Sequence, residues 1–452
     1  MTENRAKKID FNFLIIGVAV ATGWLLFMHV DLMETANHSY VFLESIFSGC
    51  PLDFYSIVSA HENSYYYINN AHYNIAVYLL FGLWELPVYL INNLFSLPLN
   101  EGFLWLWAKG LCVAAFFGCY FIIKKLAVAG NAKDPKLIAL AFLLNPVAYF
   151  MPVAVGQYDV LCIFFLLLSL VYYVKGDSFR FSAVMGVGIL MKSFAFLAFI
   201  PLLLYKEKKL KDIIKYMLVG VFPYFITCLL FRGRMEDADY FNSIMAGRLF
   251  EIKVGQIPLF PLFFALICLV CWSTEFAKGG VERLKSSAYI CLFIFSSLLL
   301  TIYWHPQWSF LVTPFLVISG LSSRNKTLYL YLNIFFSVGV FLHAWRTFLS
   351  HFEFNMFYYG IFYALGNKEL FLTPYRTMSS IMASLPIFWY FASSLVFVAS
   401  AAIILSYLTF PSFGRISDRR REQPKNMLLY LYLGFLIPIS FWTIAVLVSH
   451  YI

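Results

Sequence analysis

The chain has 452 residues, of which 61% are apolar, 20% aromatic and only 13% Asp, Glu, Lys or Arg, with a formal net charge of +9. Soluble domains carry about a quarter charged residues and roughly 45–50% apolar ones. This composition therefore excludes a soluble globular domain, a disordered chain and a nucleic-acid-binding module, and the basic excess is what the loops on one side of a membrane protein carry.

A membrane-spanning helix needs about 20 apolar residues. Runs that meet or approach this length cover 11–30, 103–123, 137–154, 159–175, 213–231, 258–272, 287–304, 309–321, 327–345, 381–408 and 427–450. Two more stretches are interrupted. Glu85, Pro87, Asn92 and Asn93 fall within 74–96, and Lys192 and Pro201 fall within 182–204. Loop charge decides between layouts. Arg5, Lys7 and Lys8 place the start of the chain in the cytoplasm. If 74–96 lies on the outer face and 182–204 is a broken hairpin or a pair of short helices, the cytoplasmic segments hold 24 of the 33 lysines and arginines. The outer segments 232–257 and 346–380 then hold 7. A crossing 74–96 would instead move the basic segment 124–136 outside, against the orientation rule. The expected fold is all-α integral membrane with about 11–13 transmembrane helices, the first an uncleaved start-transfer helix.

Eight cysteines are spread along the chain, and all but Cys50 lie in apolar runs, so no disulfide framework is visible. Cys268 and Cys271 have metal-site spacing but sit inside a lipid-length helix without a second pair, and they read as small buried residues. No internal repeat is evident.

The segment after the first helix is the unusual one. Residues 31–73 contain no Lys or Arg but carry Asp31, Glu34, Glu44, Asp53, Glu62, His38, His61 and His72. A loop of that length within a compact protein is usually functional. Asp31 ends the first apolar run at the outer interface. It reads either as a solvated helix-end carboxylate or as a general base.

Further polar groups collect on the same face. Gly156-Gln157-Tyr158-Asp159 joins two apolar runs, and Gln157 and Asp159 at membrane depth are costly unless they face a cavity or a partner. Asp159 also fits as a helix N-terminal charge. Trp304-His305-Pro306-Gln307-Trp308 is a second short turn, in which His305 and Gln307 are hydrogen-bonding groups able to meet a phosphate or move a proton. Its plain alternative is a proline turn with interface aromatics. Segment 232–257 has mixed charge, as solvated loops do, but Arg232 and Arg248 are placed to clamp a phosphate. Lys192 either snorkels or neutralises a phosphate held in the membrane. Lys109 reads as a snorkelling lysine.

Taken together these positions resemble the GT-C superfamily of polytopic membrane glycosyltransferases, in the branch of the GPI and bacterial phosphatidylinositol mannosyltransferases. Asp31-Leu32 with Gly49 and Asp53-Phe54-Tyr55 is similar to that family's first outer loop. Asn145-Pro146 followed by Gly156-Gln157-Tyr158-Asp159, and His305-Pro306-Gln307-Trp308 with Pro314, resemble its two outer turns. The stretch from Met191 to Pro201, with Lys192, is similar to its lysine-bearing helix. The resemblance spans about residues 11–320. It implies a catalytic module over 1–320, with an outer loop 31–102 carrying interfacial helices, followed by C-terminal transmembrane helices over 321–452.

The resemblance also implies an inverting transferase that takes a sugar from a polyprenyl-phosphate carrier to a lipid-linked or glycan acceptor on the extracytoplasmic face. Asp31 would be the base, with Glu34 as the alternative base. Gln157, Asp159, Lys192, Arg232, Arg248, His305, Gln307 and His61 would contact substrate. Many members need no metal, though some bind one, and no metal ligand set is indicated here. Membrane lipid is the medium, nucleic acid is not a partner, and the compact size points to a bacterial cell membrane. The competing expectation is a polytopic transporter or lipid flippase, supported by the many apolar runs and buried polar residues.

Overall fold

The computed structural model describes residues 11–60, 71–95, 100–132, 134–234, 243–322, 326–348, 356, 359–366, 384, 394–396, 398–402 and 427–451. His61, Arg5, Lys7, Lys8 and most of the run 381–408 lie outside the described residues. Among the described residues the structure is helical apart from turns and a two-residue hairpin, β1 (Lys253–Val254) with β2 (Ile257–Pro258). The hairpin is antiparallel and pairs Lys253 with Pro258.

Among the described residues five helices are long and apolar enough to cross a membrane, or seven if two bent pairs each form one span. The protein is therefore an all-α, multi-pass membrane protein, as its composition requires. Several apolar stretches fold as helices shorter than a full span. Ser178–Met191, Phe194–Lys206 and Leu259–Ser273 are helices of 14, 13 and 15 residues.

Three breaks in the chain shape the functional face. The first separates α1 (Phe11–Leu26) from α2 (Val30–Phe47), which turns away by 73°. The Met28 amide leaves the helix ladder and donates to the Met356 carbonyl at 2.7 Å. His29 caps α2, its Nδ1 accepting from the Asp31 amide. Much of the acidic segment after Asp31 is thus helix. A 3₁₀ turn (Pro51–Asp53) and α3 (Phe54–Ala60) follow α2.

The interrupted stretch 74–96 is α4 (Ile75–Leu94), capped by the Asn74 side chain. It packs along α2, with Tyr78 against His38 and Tyr89 stacked on Phe47. Gly82 permits this approach, since a β carbon there would lie 3.4 Å from both Leu43 and the Ser39 carbonyl. Although long enough to cross a membrane, α4 follows the segment that turns away from α1.

The second break corrects an expectation. The run 137–154 is not one helix, because α6 (Pro135–Leu143) and α7 (Pro146–Tyr149) belong to two axes bent by 63°. Proline disfavours helical geometry in the residue before it, and Asn145 is extended there. Its side chain accepts from the Ala148 amide at 2.9 Å and donates to Asn333 Oδ1 at 2.6 Å, so the break is bonded on both sides. The chain continues as a π-helix, Phe150–Val155, around Pro152. It ends at Gly156, whose φ of +84° is a left-handed conformation that glycine adopts without strain.

The third break is the expected one in 182–204. α9 (Ser178–Met191) stops at Lys192, which is extended, and α10 (Phe194–Lys206) begins two residues later. Between the second and third breaks runs α8 (Asp159–Lys175). α5 (Glu101–Ala129) passes behind the first two breaks. α11 (Leu210–Leu230) crosses α9 where Gly186 meets the Gly220 backbone. It exposes Leu218, Phe222, Phe225 and Leu229, a face suited to lipid.

Candidate functional site

The first two breaks and the His305 turn converge on Asp31. Residing in the first turn of α2, Asp31 is stabilised by the partial positive charge of a helix N-terminus. Its Oδ2 accepts from Gln157 Nε2 at 2.7 Å and from Gln307 Nε2 at 3.4 Å. Both glutamines are buried, whereas the Asp31 side chain keeps 35% of its surface exposed. Oδ1 lies 3.5 Å from His29 Nδ1. That nitrogen already accepts from the Asp31 amide, so Oδ1 retains capacity for a hydroxyl donor. The carboxylate is therefore pinned by one oxygen and presented by the other.

Beside it, Asp159 and Lys192 form an ion pair, with Asp159 fully buried and the Lys192 side chain 14% exposed. The ammonium sits among aromatic rings, 4.9 Å from the Tyr158 centroid, 5.7 Å from Tyr73 and 5.9 Å from Phe194. Such rings attract a cation while keeping water away from it. Tyr73 packs edge-on to Tyr158, and its phenol is raised well above its ordinary range by burial and then by the charge of Asp31.

On the far side, Phe194 packs against Trp308 and Trp308 against His305. His305 is lowered to about 4, mainly by burial and next by the positive charge of Arg248, with Asp31 opposing and Lys192 adding to the effect. At neutral pH it is a neutral imidazole, able to donate or accept a hydrogen bond.

Thus Asp31, Gln157, Gln307, Asp159, Lys192, His305 and Arg248 share one face. Glu34, one turn beyond Asp31, is half-buried on the α4 side, where its charge acts on Tyr78. Arg232 stands on an exposed turn after α11, beside the Arg234–Asp53 ion pair of 2.8 Å, and Arg248 is the arginine whose charge reaches His305. His29 and Tyr73 were not read as site residues. His29 had a weak signal, a histidine closing an apolar run two residues before the aspartate. Tyr73 had none, since only folding brings it to Lys192. Among the described residues no group of three or more His, Cys, Asp or Glu side chains could hold a metal ion.

Lys109 also departs from its expected place. It does not snorkel but is fully buried, and its Nζ donates to the carbonyls of Gly23, Trp24, Phe27 and Ala154. The snorkelling expectation took the helix to face lipid there, but α5 faces the broken ends of α1 and the π-helix.

The class that fold and site define is a polytopic all-α membrane protein with a carboxylate-centred polar face. No family model, curated protein or solved structure matches the chain.

Proposed function

We propose that the chain is an inverting glycosyltransferase that moves a sugar from a polyprenyl-phosphate carrier to a lipid-linked or cell-surface glycan acceptor on the extracytoplasmic side of a bacterial membrane, with a GT-C-like arrangement of about 11–13 crossings. The observation that carries this reading is the half-exposed Asp31 carboxylate, pinned through Oδ2 by two buried amides, next to an ammonium in an aromatic enclosure.

In this reading Oδ1 of Asp31 takes the proton of the acceptor hydroxyl. The oxygen attacks the anomeric carbon as the bond from that carbon to the phosphate oxygen breaks, and the electron pair leaves with the lipid phosphate. General-base assistance contributes about 10²–10⁴-fold. Charge builds on the departing phosphate, which Lys192 and Arg248 are disposed to meet. Neutral His305 would hydrogen-bond the donor. A single displacement needs one base and a stabilised leaving group, unlike hydrolysis by paired carboxylates.

The test is purified protein in nanodiscs with a panel of radiolabelled polyprenyl-phosphate sugars, scored for donor binding and slow hydrolysis in wild type and Asp31→Asn. Binding of one donor with turnover lost in the variant supports the transferase. The bent pairs α1–α2 and α6–π-helix favour a second reading, because transporters build substrate sites at broken helices. Absence of binding across the panel, together with substrate movement in proteoliposomes, would establish that alternative.

A further inference from the structure

The chain sets a second lysine into the same face and uses it differently. Lys109 Nζ lies 2.8 Å from the Gly23 carbonyl, 3.2 Å from Trp24, 2.5 Å from Phe27 and 2.9 Å from Ala154. All four acceptors are backbone oxygens. Three belong to the broken end of α1, where carbonyls lose their helical donors and carry partial negative charge. The fourth belongs to the π-helix just before Gly156 and Gln157. The aliphatic stem of Lys109 is equally engaged, since a β carbon on Gly156 would lie 3.4 Å from its Cγ and 3.5 Å from its Cδ. Cys112, one turn on, contacts the Gly156 carbonyl through Sγ at 3.5 Å.

From this geometry we infer that Lys109 is a tethered monovalent cation in a four-carbonyl cage, and that this cage fixes the position of Asp31 relative to Gln157. The inference rests on the transferase reading only for its catalytic consequence. An ammonium is a compact cation with three donors in a tetrahedral array. It suits a cluster of carbonyls drawn from different directions, which the planar guanidinium of arginine does not. The two elements joined by the cage are those that carry the reacting group and its principal anchor. Asp31 begins α2 just beyond Phe27, and Gln157 follows Ala154 across Gly156. Lys109 touches no substrate in this arrangement. It is a positioning residue.

Truncation gives a specific test. Lys109→Ala removes a group that n-propylammonium replaces atom for atom, so the full-length variant in nanodiscs should be rescued by n-propylammonium chloride. Expected are a lower melting temperature and at least a tenfold loss of transfer. Both should recover toward wild type with millimolar n-propylammonium and not with 1-propanol or tetramethylammonium, which lack the charge or the donors. If Lys109→Ala folds only when produced with n-propylammonium present, that is the same result. Lys109→Met keeps the volume without the charge. It should lower kcat while leaving the donor KM within about twofold, because the donor's charge partners Lys192 and Arg248 lie outside the cage. Wild-type stability and kcat in Lys109→Met, a raised KM at unchanged kcat, or equal rescue by 1-propanol would each overturn the proposal. The melting-temperature arm needs no enzymatic activity. If wild type transfers no sugar, the function reading fails while the cage is still tested.

Discussion

Lys109 and Lys192 both interrupt apolar stretches, and the fold treats them in opposite ways. Lys109 is fully buried and shared among four backbone carbonyls. Lys192 stands at a helix break, is 14% exposed, and is balanced by the Asp159 carboxylate within a ring of aromatics. The difference concerns exchangeability. A carbonyl cage built from two chain breaks cannot be surrendered without unmaking those breaks. A carboxylate partner can be traded for another anion of suitable geometry, and Asp159 Oδ2 has no hydrogen bond among the described residues. One lysine belongs to the architecture, and in the proposed reading the other meets a phosphate.

The largest effect that sharpens this contrast lies at the group both lysines serve. Asp31→Asn keeps the two glutamine contacts close to their geometry but removes the base. Transfer should fall by about 10²–10⁴-fold, with folding unchanged by thermal melting. Full activity would remove Asp31 from the chemistry. Next comes the Lys192–Asp159 pair. Removing one partner of a buried pair costs about 3–5 kcal/mol, whereas replacing both with apolar groups of similar size is often neutral. Asp159→Asn alone should therefore lower stability, and Lys192→Met with Asp159→Leu should restore it. The double variant should still lose transfer by about 10²-fold, the scale of one preorganised electrostatic contact. A stable, fully active double variant would make the pair structural, like Lys109, and collapse the distinction. A smaller effect separates the two amides. Gln157 donates at 2.7 Å and Gln307 at 3.4 Å. Hydrogen bonds to charged groups are worth about 1.5–3 kcal/mol, so Gln157→Ala should reduce kcat about tenfold or more, and Gln307→Ala clearly less.

Much of this face was legible before folding because its signals were local. Asp31 closing an apolar run, Gln157 and Asp159 in a short turn, and Lys192 in the middle of an apolar stretch all violate hydropathy, and each violation turned out to mark a place where polar groups meet. The expected break at Lys192 is present for the same reason. What was not legible depends on partners distant in sequence. A lysine inside an apolar helix reads identically whether it snorkels or finds carbonyls, and only the bend of α1 tells which occurs at Lys109. The run 137–154 carries Asn145-Pro146, yet hydropathy averages over a proline, so the 63° bend was hidden inside an apparently continuous span. Among the described residues five helices, or seven with the bent pairs, reach spanning length, because apolar runs report burial and lipid exposure alike. Arg232 and Arg248 are equivalent in sequence, and the return of the chain before β1 brings the second, not the first, within electrostatic reach of His305.

His305 provides the smallest effect and the one that tests how dry the site is. Its pKa is lowered from 6.5 to about 4, with burial as the leading cause. The folded state thus binds fewer protons at this residue than the unfolded state between those values. Linkage then gives the sign: this contribution to stability is fully present above pH 6.5 and is lost as pH falls toward 4. Melting temperature against pH for wild type and His305→Gln should diverge in that window, with the wild type falling more steeply. Transfer, by contrast, should show no step near pH 6.5 attributable to His305, since the imidazole is neutral on both sides of it. Parallel melting curves would mean that water or an anion reaches the imidazole. A site that wet would also screen Lys192, and the separation between an architectural lysine and a substrate-facing one would have to rest on the carbonyl cage alone.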